Sequence, residues 1–349
     1  MLLCPLLIAG LTAVAPLQAP EMTAHFIDVG QGNAALLEFP CGTVLIDAGA
    51  QDNASERRLM RYLEEFFAER PDRQETIDVV FITHPHRDHT YALRDIAERF
   101  RIRNYVDDGL LEGSGGSAVR WIRERNAELD PPVVIREVRH RDISGLRAGG
   151  GLSDEAIDPI RCETCDPRIR VLEGQRTVNP GWNGTEFSNP NNHSLVIRAD
   201  FGQSSFLFTG DLEEPAIEAL VEDYERTETL DVDVWLVGHH GSQNGVTGSL
   251  MAAMTPAMAV ISVGEWDYGK DSHNPFTTWR FGHPRDDALA LLGEGIVAER
   301  SPERRPMIAT GSQQFVRRRI HKAIYATAWD GTILVRGRLD AEPELLPAP

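Results

Sequence analysis

The chain has 349 residues, 42% of them hydrophobic, and is therefore long enough to bury a full core in one catalytic domain. Its formal net charge is −18, because 53 acidic residues outnumber 35 basic ones. A surface of this charge repels polyanions, so tight binding of duplex DNA is not expected. Four cysteines are too few for the small disulfide-stapled class of protein. The sequence indicates no oligomeric state.

The N-terminal segment begins with an apolar run, from Met1 to Ala15, that has the length of a secretory hydrophobic region. This run is too short for a comfortable membrane span, and no other stretch is apolar enough for one. We therefore predict a signal peptide over residues 1–20, a periplasmic or secreted location, and no transmembrane domain. No Lys or Arg precedes the run, and Pro follows both Ala15 and Ala19. A mis-assigned start codon, or a partly buried N-terminal segment of a cytoplasmic protein, is the alternative.

Residues 21–349 are predicted to form a single catalytic domain of the α/β class. Apolar or alternating runs typical of strands lie at 23–28, 34–39, 43–47, 79–83, 195–199, 205–209, 232–237, 257–263 and 333–335. Helical patterns separate several of these runs; the first extends from Ser55 to Arg70 and stops at Pro71. Twice along the chain, strands that can form hairpins are followed by strands that alternate with helices. This order predicts two sheets packed face to face with helices outside, a four-layer αββα sandwich.

Two short clusters are basic within this acidic chain, residues 99–103 and residues 317–319. A solvated strand or helix face is the ordinary explanation for such clusters. A local patch that binds nucleic acid is the alternative.

Residues 140–192 depart from the regular pattern, because they are rich in Gly, Pro, Asn and charge. Long irregular segments in compact domains are usually functional or disordered. We predict a loop-rich insertion at about 140–192 on the substrate side, with Trp182 and Phe187 as candidate contacts; an ordinary surface excursion is the alternative. Cys162 and Cys165 form a C-x-x-C pair, which we expect to be a local disulfide in an exported protein.

The most informative stretch, residues 83–90, follows the apolar strand-like run 77–82 and contains three histidines and an aspartate. Imidazole nitrogens and carboxylate oxygens are ligands that Zn²⁺, Fe and Mn²⁺ accept. His84 and His86 face the same way on an extended strand end, while Asp88 and His89 lie where the chain must turn. The stretch therefore predicts two divalent metal ions, Zn²⁺ in the first place and Mn²⁺ or Fe as alternatives.

Further histidines and aspartates, which the resemblance described below makes candidates, lie beside strand-like runs elsewhere in the chain. Downstream candidates are His193, Asp211, and the adjacent pair His239 and His240. Upstream, Asp28 and Asp47 end apolar strands, where carboxylates orient ligand imidazoles through their outer N–H.

In their order these motifs resemble the metallo-β-lactamase superfamily, in particular its ComEC-like branch, over residues 22–336. Residues 84–89 match the H-x-H-x-D-H signature, and the strings around 25–33, 44–49, 191–196, 208–211, 237–242, 281–284 and 324–332 match the other stations. The resemblance implies that His84, His86 and His193 hold one metal, although the branch often carries Asn at the third position. Asp88, His89 and one of His239 and His240 would hold the other, with Asp211 as the bridge.

The same resemblance implies an αββα sandwich of the metallo-β-lactamase type and a binuclear hydrolase. His240 is preferred over His239 because it directly precedes Gly. A metal-bridging hydroxide is the expected nucleophile. His283 is the candidate donor to a substrate oxygen, with a turn-capping core histidine as the alternative. Asn33 stands where the branch usually has Asp.

The function expected from the sequence is phosphodiester hydrolysis, with Asp88, Asp211 and His283 in the catalytic centre. The resemblance implies the bond type, and the acidic composition favours a small phosphodiester or an exposed nucleic-acid end over long DNA. A lactone or β-lactam hydrolase is the first alternative, because a binuclear site also neutralises a carbonyl oxyanion. A non-catalytic scaffold with the same fold is the second.

Overall fold

The structure is a computed structural model that describes residues 20–347 of the chain. The predicted signal peptide over residues 1–20 therefore lies outside the described residues, apart from Pro20. The strands are β1 (Glu21–Phe26), β2 (Ala35–Phe39), β3 (Gly42–Ile46), β4 (Thr76–Ile82), β5 (Arg101–Asp107), β6 (Val134–Glu137), β7 (Arg168–Glu173), β8 (Val196–Phe201), β9 (Ser204–Phe208), β10 (Val234–Leu236), β11 (Met258–Ile261), β12 (Glu299–Arg304), β13 (Met307–Gly311), β14 (Gln314–Arg317), β15 (Ile320–Lys322), β16 (Ile324–Ala326), β17 (Ile333–Arg338) and β18 (Glu344–Leu345).

Helices lie between these strands, and short 3₁₀ turns lie at Pro71–Arg73, Asn126–Glu128, Arg147–Gly149, Pro190–His193 and Gly238–Gly241. The α-helices are α1 (Asn53–Ala68), α2 (Arg87–Thr90), α3 (Leu93–Arg99), α4 (Gly116–Arg125), α5 (His140–Ile143), α6 (Gly184–Ser188), α7 (Glu214–Tyr224), α8 (Gly248–Met254), α9 (Thr278–Phe281), α10 (Asp286–Gly295) and α11 (Thr327–Asp330). Within residues 20–347, no helix combines the length and the apolar character that crossing a membrane requires.

Two large mixed sheets form the centre of the molecule. The first has the strand order β18-β17-β1-β2-β3-β4-β5-β6, and the second has the order β16-β11-β10-β9-β8-β7. Buried side chains of both sheets form one shared core, in which Phe26 stacks on Phe208 at 6.2 Å between ring centroids. The predicted α/β sandwich is confirmed.

Strand β4 shows why the sheets form and what they position. All seven of its residues are buried. Val79 and Phe81 pack into the core shared by the sheets, whereas Val80 and Ile82 pack into the cluster beneath the outer helices. A strand covered on both faces reads as a continuous apolar run. The polar stretch that begins at Thr83 directly follows this apolar strand, and Thr83 and His84 are still buried.

Helix α1 illustrates the outer layer. The side chain of Asp52 accepts hydrogen bonds from the backbone N–H groups of Ala54 and Ser55, which satisfies donors that a helix start leaves free. Leu59 and Leu63 lie on its buried face. The predicted helix over 55–70 is thus confirmed, shifted by two residues at each end.

Residues 140–192 contain one strand that the sequence did not predict. The segment contains β7, which pairs antiparallel with β8 and places Ile169 and Val171 in the core. The strand was missed because charged residues flank these positions; one of them, Arg170, is buried in an ion pair with Asp200.

The predicted disulfide between Cys162 and Cys165 is wrong. Cys162 is bonded to Cys41, which lies in the turn between β2 and β3, and Cys165 is a free, half-buried thiol. A contact across 121 residues cannot be read from local spacing.

Candidate metal centre

The candidate ligands gather because several strands end at the same edge of the sandwich. Strand β4 of the first sheet leads into residues 84–89, while β9 and β10 of the second lead to Asp211 and His240. Strands β9 and β10 are parallel neighbours, so their carboxyl ends lie together. A backbone hydrogen bond of 2.8 Å from Leu195 to Thr83 joins the two sheets at this edge.

Four side chains converge closely enough to share one ion. Asp88, His89, Asp211 and His240 each offer a ligand atom, and these atoms lie within 4.8 Å of one another. His89 Nε2 lies 3.2 Å from Asp211 Oδ1, and His240 Nε2 lies 3.4 Å from Asp88 Oδ2 and 3.6 Å from Asp211 Oδ2. Neither Nε2 atom has a hydrogen-bond partner although both are buried. This donor set fits a divalent transition metal.

The outer nitrogen of each of these imidazoles is held in place. His89 Nδ1 lies 2.7 Å from Asp47 Oδ2, and His240 Nδ1 lies 2.7 Å from the carbonyl oxygen of Ser262. Such contacts fix the ring and leave Nε2 for a metal. Asp47 is itself fixed, because it also accepts hydrogen bonds from the backbone N–H of Thr83 and from the amide of Asn33, each 2.8 Å long. Asp47 thus lies where the sequence predicted.

Asn33 stands where the ComEC-like branch usually has Asp, and its contact with Asp47 explains why an amide suits this position. Its amide nitrogen donates to Asp47 Oδ2. An aspartate at position 33 would place a second carboxylate against Asp47, and two like charges at that distance repel. Asn33 instead supplies a donor that supports the carboxylate behind His89.

His84 and His86 lie beside the four-residue cluster. His84 Nε2 is 3.0 Å from His86 Nδ1 and 4.0 Å from Asp211 Oδ2. Asp211, a member of the four-residue cluster, therefore also approaches His84. Burial lowers the pKa of His84 well below its usual value, and nearby His89 and His86 add to the effect. The neutral imidazole that results is the form that binds metals.

The buried carboxylates and imidazoles of the cluster shift one another's pKa values. Burial alone would raise the pKa of the Asp211 carboxyl, but His89 and His240 lower that pKa well below its usual range. Burial alone would also lower the pKa of His89, yet Asp211 and Asp47 raise it well above its usual value. The carboxylates therefore remain ionised, and they favour either protonated imidazoles or a bound cation.

The structure does not bring His193 into the cluster. His193 Nε2 donates to the carbonyl oxygen of Phe187 at 2.7 Å, and Nδ1 accepts from the backbone N–H of Arg176 at 3.2 Å. Because both ring nitrogens are engaged by backbone groups, the predicted ligand role of His193 is wrong. Trp182 and Phe187, the candidate substrate contacts, pack around the His193 ring, with centroids 6.4 and 5.3 Å from it.

Asn191, two residues before His193, lines the cavity that His193 was predicted to reach. Its amide nitrogen donates to Glu213 Oε1 at 2.9 Å, and its Oδ1 is buried without a hydrogen-bond partner. An amide oxygen is a usable metal ligand. The signal was present in the sequence, because Asn191 and Asn192 directly precede His193 and the branch often carries Asn at this station.

His239 and His240 follow each other in a strained turn. Both have positive φ angles, 48° and 53°, a region that residues with a Cβ seldom occupy. The turn directs His240 to the cluster, whereas His239 Nδ1 lies 3.9 Å from Glu213 Oε1 and lines the cavity. The preference for His240 as ligand matches this geometry.

The two remaining candidates lie in different places. His283 lines the cavity and stacks on His240, with centroids 6.2 Å apart and planes 19° apart. Asp28 does not reach a candidate ligand: its Oδ1 accepts from the backbone N–H of Gly30 and faces Arg58 at 3.7 Å. The predicted role of Asp28 in orienting an imidazole is therefore wrong, because the chain turns after β1 and the carboxylate caps that turn.

The cavity over the centre has a volume of about 260 Å³. Its lining combines ligand candidates with polar and aromatic residues: Gln31, His86, Asp88, Ser114, Asn191, Asp211, His239, His240, Phe276, Phe281 and His283. A substrate in this cavity would contact metals, imidazoles and two phenylalanine rings.

We expect Asn191→Ala to lower metal occupancy, because it removes the unpartnered Oδ1. The measurement is metal content per chain after dialysis against limiting Zn²⁺. His193→Gln is the matched control, since an amide can still donate to the Phe187 carbonyl, and it should keep wild-type metal content. Reduced metal in His193→Gln with full metal in Asn191→Ala would reverse these assignments.

The chain shows sequence similarity to one family and to several curated proteins. A family model described as metallo-beta-lactamase superfamily matches residues 27–265. ComE operon protein 3 of Bacillus subtilis (strain 168) is 24% identical over 289 residues, which cover 79% of this chain and 31% of that protein. Recombination protein 2 of Haemophilus influenzae is 38% identical over 93 residues, 27% of this chain and 10% of that protein. The chain thus spans less than a third of either relative.

Solved structures with similar folds were also found. The metallo-beta-lactamase fold protein YhfI from Bacillus subtilis aligns with a TM-score of 0.43 and 10% identity, over 80% of this chain and 94% of that chain.

Proposed function

The chain belongs to the metallo-β-lactamase superfamily, whose members of this kind are metal-dependent hydrolases, and we propose that it hydrolyses phosphodiester bonds. The observation that carries the proposal is the convergence of Asp88, His89, Asp211 and His240 beside the pair His84 and His86. The bond type rests on the resemblance to the ComEC-like branch. We also propose that residues 21–349 act as one catalytic domain.

The residues that would hold two divalent ions follow from the contacts. Asp88, His89 and His240 would hold one ion; His84 and His86, with Asn191, would hold the other; and Asp211 would lie between them. We propose Zn²⁺, with Mn²⁺ or Fe as alternatives, because the set mixes imidazole with carboxylate. When bound, two such ions supply a water of lowered pKa and positive charge beside the substrate oxygens.

We propose that His283, which lines the cavity, acts on the substrate directly. Gln31 Oε1 accepts from the Thr278 hydroxyl, which directs the Gln31 amide nitrogen toward His283 Nδ1, 3.5 Å away. An amide donor on Nδ1 leaves the ring hydrogen on Nε2. His283 would therefore present an N–H to a substrate or leaving-group oxygen in the cavity.

The charge distribution supports a small substrate. Several arginines of the two basic clusters are already paired: Arg99 with Glu75 at 2.7 Å, Arg103 with Asp78 at 2.9 Å, and Arg318 with Asp286 at 2.6 Å. Paired guanidinium groups offer less charge to a phosphate backbone. We therefore propose a small phosphodiester or an exposed nucleic-acid end as substrate, without tight binding to duplex DNA.

The direct test is a chromogenic panel of bis-phosphodiester, phosphomonoester, lactone and β-lactam substrates with the Zn²⁺-loaded protein. We expect turnover of the bis-phosphodiester and little turnover of the others. Hydrolysis of the lactone or the β-lactam alone would instead support the alternative, a lactone or β-lactam hydrolase. No turnover at all by protein with full metal content would favour the non-catalytic scaffold.

Salt dependence gives a second prediction. We expect bis(p-nitrophenyl) phosphate hydrolysis to change little between about 50 and 200 mM salt, because the reaction needs no extended cationic surface. Duplex DNA should be degraded poorly under the same conditions. Efficient cleavage of long DNA, falling by roughly 10³-fold or more over that salt range, would indicate a cationic channel and contradict the small-substrate proposal.

We further propose that the protein is exported to the periplasm or secreted. The Cys41–Cys162 disulfide supports this location, because disulfides persist in oxidising compartments. Fractionation of cells that express the full chain, followed by thiol alkylation, should find the oxidised pair outside the cytoplasm. Recovery of the protein in the cytoplasm with Cys41 and Cys162 both reduced would favour the cytoplasmic alternative.

A further inference from the structure

A second cavity adjoins the metal centre. It has a volume of about 330 Å³, within the roughly 300–1,000 Å³ typical of ligand pockets. His283 lines both this cavity and that of the centre, so the two spaces meet at one imidazole. We refer to it as the adjoining cavity; Trp266, Trp329, Arg305 and Arg317 are among the residues that line it.

The adjoining cavity offers flat aromatic surfaces that are already fixed. Trp266 is half-buried, and its ring is held by edge and tilted contacts with Trp279 and Phe315, at 5.9 and 5.6 Å between centroids. Trp329, also half-buried, lies on α11 and packs against the core shared by the sheets. Lys270 Nζ also lies over the Trp266 ring, 5.9 Å from its centroid. Indole rings fixed by such contacts are surfaces on which planar heterocycles stack.

Two guanidinium groups of the adjoining cavity lack an internal partner. Within residues 20–347, neither Arg305 nor Arg317 lies within 4.0 Å of a carboxylate, although Arg304, Arg318 and Arg319 beside them are each paired. Both unpaired arginines are exposed. In a chain of net charge −18, two neighbouring cations left free on a cavity wall are suited to an anionic ligand.

The adjoining cavity also carries negative charge. Glu265 and Asp267 line it from the loop that contains Trp266. No ion pair within 4.0 Å joins these carboxylates to the arginines in the described part of the chain. Arg305 and Arg317 come instead from the β13–β14 hairpin and its flank, so the anionic group of a ligand would be attracted to the hairpin side.

We propose that the adjoining cavity binds the portion of the substrate next to the scissile phosphate, and that this portion is a planar heterocycle bearing a further phosphate, the chemistry of a nucleotide. The heterocycle stacks on Trp266, and Arg305 and Arg317 contact the phosphate. The proposal rests on the proposed phosphodiesterase function, because His283 connects the two cavities. It deepens that function by favouring nucleotide esters over alkyl esters such as choline-like diesters, which have no ring to stack.

The test is equilibrium binding to the full-length, Zn²⁺-loaded protein. The probes are 2′-deoxyadenosine 5′-monophosphate, 2′-deoxyadenosine, and 2-deoxyribose 5-phosphate. Trp266→Ala should weaken the two base-containing probes by about 10-fold and leave the sugar phosphate unchanged. The double variant R305Q/R317Q should weaken the two phosphate-containing probes by about 10-fold and leave 2′-deoxyadenosine unchanged.

Two control variants keep the result interpretable. R319Q changes an arginine between β14 and β15 that pairs with Glu303 outside the adjoining cavity, and it should bind all three probes like wild type. Trp266→Phe keeps a ring and should recover most of the base-dependent affinity, whereas a loss due only to misfolding would not be recovered selectively.

The outcomes separate this proposal from the one on which it rests. If the nucleotide binds no better than the sugar phosphate, or if both variants weaken all probes equally, the nucleotide subsite is overturned even when bis-phosphodiester turnover is present. If turnover is absent from the substrate panel but the selective losses are found, the subsite stands and phosphodiester hydrolysis fails.

Discussion

Asp211→Ala should abolish turnover and release most of the bound metal while the fold persists. Asp211 Oδ1 and Oδ2 face His89 and His240 at 3.2 and 3.6 Å, and Oδ2 lies 4.0 Å from His84. Within the described residues, no other carboxylate lies within 4.0 Å of both His84 and His240. We therefore expect a loss of activity beyond the ~10–100-fold typical of residues that only orient a ligand.

The fold should survive this change, because the structural contact at position 211 is made by the backbone. The Asp211 N–H donates to the Ser194 hydroxyl at 3.1 Å, and alanine keeps that donor. The measurements are kcat on a bis-phosphodiester, metal per chain, and the melting temperature of the metal-free proteins.

Asp28→Ala is the matched control for Asp211→Ala. Its carboxylate lies outside the cluster and faces Arg58, so both activity and metal content should stay near wild type. Near-wild-type turnover by Asp211→Ala, with two metals retained, would show that Asp211 does not bridge.

The parts of the site that follow one strand could be predicted from the sequence. Residues 84–89 come directly after β4, so an apolar run that stops at Ile82 fixes where the polar stretch emerges. Asp211 and His240 were predicted from the family resemblance, and the structure shows that each follows a short strand of the second sheet. Asp47 could also be predicted from the end of an apolar run, because it directly follows β3, which pairs with β4.

The wrong predictions share a different physical cause. Whether His193 or Asn191 reaches the cavity depends on the 3₁₀ turn at Pro190–His193. A 3₁₀ turn has three residues per turn, so its side chains do not alternate between two faces as those of a strand do. The sequence spacing to Asp211 is almost the same for both residues. The prediction for Asp28 failed because its carboxylate accepts a hydrogen bond from the nearby backbone N–H of Gly30. The residue type alone does not show whether an aspartate makes such a local contact or reaches a ligand.

The long-range disulfide and the charged strand β7 also could not be predicted from local sequence patterns. Cys165 lies three residues from Cys162 in the sequence. The disulfide partner of Cys162 is nevertheless Cys41, which lies 121 residues away in the turn between β2 and β3. Strand β7 was hidden because Arg170 sits in the sheet and is neutralised by Asp200, a contact made only after β7 and β8 pair. Both features depend on packing of the sheets, which sequence periodicity does not encode.

Removing the metals should abolish turnover and destabilise the protein. The carboxylates of Asp88 and Asp211 are held ionised and close to one another, with the buried Nε2 atoms of His89 and His240 as their neighbours. Without cations, these groups depend on imidazole protons for compensation. A ligand that binds only the folded state stabilises it by about 2.7 kcal/mol when its free concentration is 100 times its Kd. We expect a lower melting temperature after chelation, and recovery of both stability and activity on adding Zn²⁺.

Asp211→Ala is the control that connects this stabilisation to the proposed centre. If the metals bind there, chelation should lower the melting temperature of wild type and change that of Asp211→Ala much less. Adding Mn²⁺ or Fe²⁺ instead of Zn²⁺ to the chelated wild type then ranks the metals by the turnover they restore. Full activity of a protein shown by elemental analysis to be metal-free would refute the metal-dependent mechanism. An equal loss of stability in both proteins would place the stabilising metal away from Asp211.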